Sequence, residues 1–251
     1  MPEYDVIVVG GGNAALCAAL SARENGASVV VLERAPQDEA GGNSAFTAGA
    51  IRTVYNGDDD ILDLMPDLSA EERNSDFGAY TEEQFFDDMG KVTDYRTDPD
   101  LTELLITRSF STLKWLQGKG MRYMPLFAKQ AFKVDGRFKF WGGLTVEAYG
   151  GGPGLIQGLT EVCKREGIEI RYNARALSLI HDDDGVHGVN LRQESKTSAL
   201  SGKAVILACG GFEANAEMRT RYLGPGWELA PVRGTRFNTG DGIQMALAAG
   251  A

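Results

Sequence analysis

The chain is poor in cysteine, histidine and basic residues, and each shortage narrows what it can do. Its three cysteines, Cys17, Cys163 and Cys209, are scattered and form no C-x-x-C pair. That rules against a dithiol redox centre or a cysteine metal site and fits a reducing compartment. Only two histidines occur, His181 and His187. With no acid, base or ligand set at useful spacing, both are expected at the surface, and no metal site is expected. Lys and Arg number 25 against 35 Asp and Glu, a formal charge of −10, which argues against nucleic acid and anionic membrane partners. Anionic ligands must then be met locally, by helix ends and a few arginines. No apolar run is long enough to span a membrane, so no direct insertion is expected. The acidic start, Met1 to Asp5, is unlike a signal peptide, and the cytoplasm is the expected compartment.

Glycine is plentiful, 32 of 251 residues, as expected where several backbone segments approach a ligand closely. The first stretch uses it most pointedly. Val6–Val9 reads as a strand buried on both faces, and Gly10-Gly11-Gly12 follows at once. Ala14–Leu20 then reads as a helix that Gly26 stops, and Val29–Leu32 as a second buried strand ending on Glu33. Gly10, Gly12 and Ala15 fill the three small-residue positions of a dinucleotide fingerprint. They serve a tight turn, close approach of a pyrophosphate, and packing of helix on strand. The helix's orphan N–H groups face the phosphates. Glu33, roughly twenty residues after Gly12, can accept hydrogen bonds from a ribose diol, with Arg34 beside it. This stretch alone leaves FAD and NAD both open, and an NAD-dependent dehydrogenase is disfavoured because no parallel βαβ repeat follows Glu33.

Further along, Gly41-Gly42-Asn43-Ser44 and Thr47-Ala48-Gly49-Ala50 are two small-residue turns, suited to a flat ligand or to a flexible loop. Asn56–Ser75 is acidic and reads as an irregular solvated insertion. Thr81 and Gln84 have capping-box spacing for a helix carrying Phe85, Phe86 and Met89. Asp98-Pro99 opens another helix, with Leu101, Leu104, Leu105, Leu113 and Leu116 as its core stripe and Gly118 and Gly120 as its end. Met121–Gly154 reads as a long loop bordering a pocket. A helix opens at Pro153-Gly154, with Leu155, Ile156, Leu159 and Val162 on one face. From Ile168 the period becomes two: Ile168–Ile170, Ala176–Ile180, Val186–Leu191 and Lys203–Ala208 read as an antiparallel meander attached to the first sheet.

These motifs, with Ala208-Cys209-Gly210-Gly211-Phe212, Asn215 and Thr239-Gly240-Asp241-Gly242, resemble the flavoprotein subunits of fumarate reductase and succinate dehydrogenase and their soluble relatives. The resemblance implies an α/β fold: a Rossmann-like, glutathione-reductase-type FAD-binding domain with a parallel sheet, an inserted helical and loop region, and a small antiparallel β-meander. It implies one FAD-binding domain over 1–251, made of a βαβ unit and flavin loop (1–55), the insertion (56–167), and the meander with a returning strand (168–251). The family's capping domain and C-terminal flavin segment are expected to be absent, so the chain is expected to be an N-terminal portion.

The resemblance also makes the cofactor FAD. It places Gly10, Gly12, Ala14 and Ala15 at the pyrophosphate, Glu33 at the adenosine ribose, and the Ala176 backbone at the adenine side. Asn43, Ser44, Ala48 and Gly49 would run along the isoalloxazine, with Ala208, Cys209, Gly210 and Asp241 completing the cradle. Asn13, Arg34, Gly41, Gly42 and Ala50 join the expected contacts. Respiratory members attach flavin through a histidine near this turn, whereas Asn43–Phe46 has none, so FAD is expected to be held noncovalently. Gly41–Ser44 and Arg233–Asn238 are most similar to the tricarballylate dehydrogenases, which oxidise tricarballylate to cis-aconitate and pass electrons to a partner protein. Hydride transfer to flavin N5 from a small polycarboxylate follows as the expected chemistry. Fumarate reductase-like and 3-ketosteroid dehydrogenase-like activities, and a catalytically silent FAD-binding module, are the alternatives. The family's proton-transfer arginine lies after the Thr-Gly-Asp-Gly motif, so the catalytic residues are expected beyond Ala251. Arg52, Arg137, Arg233 and Arg236 are weak candidates to face substrate.

Overall fold

A computed structural model describes residues 2–251. They form two compact units, one of the residues up to Thr47 with Leu155–Ala251, the other of Ala48–Gly154. The first unit begins with β1 (Tyr4–Val9), α1 (Asn13–Glu24) and β2 (Val29–Leu32), the expected strand, turn, helix and strand.

The second unit holds β3 (Ala50–Ile51), α2 (Asp58–Leu64), α3 (Ala70–Arg73), α4 (Glu82–Thr93) and α5 (Pro99–Gly118). It continues with β4 (Tyr123–Pro125), α6 (Phe127–Gln130), β5 (Ala131–Val134), β6 (Arg137–Phe140) and β7 (Val146–Ala148). Both predicted helix starts are in place. The Gln84 N–H donates to Thr81 Oγ1 while Gln84 Oε1 accepts from the Thr81 N–H, and Asp98 Oδ1 accepts from the Leu101 N–H.

Three expectations fail here. The acidic stretch is not irregular: Asp58, Asp59 and Asp60 occupy the first turn of α2, where the helix dipole favours carboxylates, and Ile61, Leu64 and Met65 behind them are buried. On α5 the leucine stripe holds only in its second half, at Leu113 and Leu116. Leu101, Leu104 and Leu105 are exposed, whereas Thr102, Ile106, Leu113 and Leu116 are buried. Thr102 and Ser109 sit on the inward stripe because their hydroxyls bond backbone carbonyls of their own helix, Asp98 and Ile106. The expected long loop contains a hairpin, β5–β6, turned by Asp135-Gly136 at φ 50° and 80°, the primed turn that Asp-Gly favours. Its strands are too short for a period to register.

The chain then runs through α7 (Gly151–Arg165), β8 (Glu169–Arg171), β9 (Ala174–Asp182), β10 (Gly185–Gln193), β11 (Lys196–Leu207), α8 (Ala216–Leu223) and α9 (Asp241–Ala248). One sheet in the first unit carries the order β8-β2-β1-β11-β10-β9. β8 is parallel to β2, so the 168–170 stretch belongs to the parallel part of the sheet and not to the meander. β11 serves both parts: Lys196–Ser201 pairs antiparallel with β10, and Gly202–Leu207 runs parallel to β1. α1 packs on β1 and β2, burying Ala15, Leu16, Ala19 and Leu20. Ile7, Val9, Val30 and Leu32 pack with Ala174, Ala176, Val189, Leu191, Leu200 and Met245. Each fully buried aliphatic side chain of this kind contributes about 1.5–3 kcal/mol, so the sheet ends that carry the site are well anchored. At the β9–β10 turn His187 Nε2 lies 2.7 Å from Asp182 Oδ1, so this histidine does have an acid beside it. The pair is about half exposed and contributes little.

Candidate cofactor-binding site

The carboxyl end of β1 delivers Gly10-Gly11-Gly12 to the start of α1. The Gly10 N–H donates to the Leu32 carbonyl at 2.9 Å. Gly10 stands at φ +118°, and a Cβ there would lie 2.4 Å from the Ala208 carbonyl oxygen, so β11 closes one wall against bare backbone. Gly12 is the N-cap of α1. No side chain caps it, and the first turn holds no acid. A Cβ on Gly12 would meet nothing nearer than 3.5 Å, leaving open approach to a helix end that attracts anions. The Asn13 N–H donates to Ser44 Oγ at 3.2 Å, which ties the 42–46 turn to this end.

Glu33 continues β2. Its N–H donates to the Arg171 carbonyl and its carbonyl accepts from the Ala174 N–H, each at 2.8 Å. Those bonds draw Ala174–Ala176 alongside. The Glu33 side chain is only 6% exposed, and its Oε1 accepts the Ala35 N–H at 2.7 Å. Burial pushes this carboxyl above its ordinary value, against hydrogen bonds from Ala35 and Gly11 that lower it. Beside it, Arg34 Nη1 bonds Asp241 Oδ2 at 3.1 Å and the Phe237 carbonyl at 3.1 Å. Arg175 Nε reaches the same Asp241 oxygen at 2.8 Å. Burial opposes ionisation of Asp241, but bonds from Arg175 and Thr239 and the charge of both arginines hold its carboxyl below the usual range.

Together these elements line one open-mouthed cleft, the concave kind of surface that small ligands occupy. Of the residues expected from sequence, Gly10, Gly12, Asn13, Ala14, Glu33, Arg34, Gly42, Asn43 and Ser44 line it, as do Ala176, Ala208, Cys209, Gly210 and Asp241. Ala15 is fully buried beneath them, and Gly41 abuts Ile156 of α7. Ala48, Gly49 and Ala50 belong to the second unit.

The arginine candidates are not cleft residues. Arg52 bonds Tyr80 Oη at 2.7 Å and Asp88, Arg137 bonds the Asn74 and Ser75 carbonyls, and Arg236 pairs with Glu39 at 2.7 Å. Arg233 is exposed. Sequence reasoning missed Arg175, Thr235, Phe237 and Asn238 as cleft residues. The Thr235 N–H donates to Asn43 Oδ1 at 3.0 Å, a pairing across some two hundred residues that no local pattern announces. Burial pushes the Cys17 and Cys163 thiols up to about 11 and about 12, and burial raises Cys209 too. None is a thiolate nucleophile near neutral pH.

An open helix end, a glycine with clearance and a buried acid at the next strand end fit a dinucleotide. Gly12→Ala should therefore leave thermal stability unchanged yet lower dinucleotide affinity by about 1–3 kcal/mol, the cost of overpacking. Calorimetric titration of the variant checks this.

The family model for the FAD binding domain matches residues 5–251. A probable fumarate reductase of Shewanella frigidimarina is 29% identical over 98% of this chain and 38% of its own length. An NADH:fumarate oxidoreductase of Klebsiella pneumoniae is 24% identical over 99% of the chain and 25% of its own length. The open conformation of a flavocytochrome c3 fumarate reductase superposes over the whole chain and 41% of that structure, at a TM-score of 0.78 and 28% identity. A 3-ketosteroid dehydrogenase from Rhodococcus jostii shares the fold, with a TM-score of 0.76 at 24% identity. The chain thus spans about a quarter to two-fifths of the length of these curated relatives. It belongs to the FAD binding domain family, and its cofactor is FAD.

Proposed function

We propose that the cleft holds FAD with its pyrophosphate at Gly10–Ala14, its adenosine ribose at Glu33 and its adenine beside the Ala176 backbone. The observation that carries this is the acid-free start of α1 opening into the same cleft as Glu33. Noncovalent attachment rests on the sequence resemblance, since Asn43–Phe46 carries no histidine. Placing Ala48, Gly49 and Ala50 along the isoalloxazine rests on the sequence resemblance.

Bound FAD supplies a two-electron hydride acceptor or donor. The chain's own residues bind and orient it: α1 faces the diphosphate, Glu33 fixes the sugar, and the Asn43–Thr235 bond joins two cleft-lining segments. The reaction proposed for the whole enzyme is dehydrogenation of a small polycarboxylate, of the tricarballylate to cis-aconitate type, in the cytoplasm, with electrons leaving to an acceptor protein. Carboxylate binding and proton transfer are assigned to residues after the Thr239–Gly242 motif. Reduction of a fumarate-like alkene is the second reading, favoured by the names of the relatives, and 3-ketosteroid dehydrogenation is a third, favoured by fold.

Visible spectroscopy of the whole enzyme with FAD separates these. Anaerobic bleaching by tricarballylate supports the dehydrogenase. Reoxidation of the reduced protein by fumarate alone supports the reductase, and the corresponding response to a 3-ketosteroid supports the third reading. A yellow protein inert to all three identifies a silent flavin module. Failure to retain FAD overturns the assignment of the cleft.

A further inference from the structure

Outside the cleft, around the β10–β11 turn, lies a second depression lined by Arg34, Arg175, Arg192, Asn173, Ser195 and Glu194. Arg175 on β9 and Arg192 on β10 are direct cross-strand partners. Like charges placed opposite one another on a sheet repel, and here a third guanidinium, Arg34, joins them. Asp241 is the acid bonded to this group, and Arg34 and Arg175 both use its Oδ2. The Arg192 guanidinium has no hydrogen-bond or ion-pair partner among the described residues. Arg175 engages Asp241 through Nε, and its terminal nitrogens have no partner among the described residues. In the lining of the depression itself three guanidiniums stand with one carboxylate, Glu194, while Asp241 and Glu33 act on Arg34 from the side of the cleft. Guanidinium forks match the geometry of phosphate oxygens, and Asn173 and Ser195 bring an amide and a hydroxyl to the same wall.

We propose that this depression is a binding site for a phosphate-bearing anion, separate from the FAD pyrophosphate position. Arg192 is its specific ligand, since it lines this depression and not the cleft. Arg34 and Arg175 line both, so occupancy here bears on the adenosine end of the cleft.

The test is calorimetric titration of inorganic pyrophosphate into the full chain saturated with FAD at low ionic strength, repeated with Arg192→Gln and Arg192→Lys. Saturable binding is expected. It should weaken about tenfold or more in R192Q, as for loss of a charge-assisted hydrogen bond, and be partly restored in R192K. FAD affinity, measured separately by flavin fluorescence, should stay within about twofold in both variants, because Arg192 does not line the cleft. Failure of FAD binding in the unsubstituted chain would be a failure of the preceding assignment and is read in that experiment. Titration with ADP in place of pyrophosphate distinguishes the source: tighter binding of ADP identifies a nucleotide ligand, equal binding a free phosphate. Absence of saturable binding by the unsubstituted chain, equal binding by R192Q, or displacement of pyrophosphate by chloride at equal concentration would overturn the proposal.

Discussion

Gly10→Ala should destabilise the chain by about 3 kcal/mol and abolish FAD retention. Two costs add: a side chain at positive φ carries roughly 1–3 kcal/mol of backbone strain, and forcing a methyl into filled space costs about 1–3 kcal/mol more. The neighbour cannot yield cheaply. The Cβ would lie 2.4 Å from the Ala208 carbonyl oxygen, and the Ala208 N–H is itself bonded to the Val9 carbonyl at 2.9 Å. Gly26→Ala is the control, because Gly26 also has positive φ but a Cβ there meets nothing within 4 Å. That variant should show the strain alone and keep its flavin. Urea unfolding of both proteins, with FAD absorbance after desalting, measures the difference. Equal destabilisation of the two would remove the β1–β11 contact from the account.

Glu33→Gln should move stability and binding in opposite directions. Burial raises the Glu33 carboxyl above its ordinary value, so ionising it costs more in the folded chain without ligand than in the unfolded chain. That contribution to stability is complete below the usual glutamate range and is lost as pH rises through the folded value. Glutamine is neutral throughout and can still accept one of the two N–H groups, Ala35 or Gly11, that bond the carboxylate. The ligand-free variant should therefore gain about 1–2 kcal/mol above that pH window, the cost of an imperfectly compensated buried group. FAD affinity should fall by about 1.5–3 kcal/mol, as when a hydrogen bond to a charged acceptor is lost. Thermal melts across pH, with and without FAD, report both effects. A variant with lower stability and unchanged affinity would take Glu33 out of the ribose role. The opposition is the usual conflict at a site that retains a costly charge for binding.

The two glycine and acid positions were legible because they belong to one contiguous unit. Strand period, a tight turn, a helix start and a carboxylate at the next strand end are all local consequences of backbone sterics and hydrogen bonding. Caps were legible for the same reason: Thr81 with Gln84 and Asp98 with Pro99 each act within four residues. The α5 face was not, since Thr102 is buried with its hydroxyl bonded to the Asp98 carbonyl one turn back.

Sequence by itself determined the β1–α1–β2 unit, the cofactor class through its resemblance, and most of the residues that line the cleft. Only tertiary structure decided that β8 joins the parallel sheet, that Arg175 and Arg34 share Asp241, and that Asn43 holds the Thr235 backbone. Those pairings link positions far apart in the chain. Their partners are chosen by which strand ends come to lie side by side, and no local period or propensity encodes that.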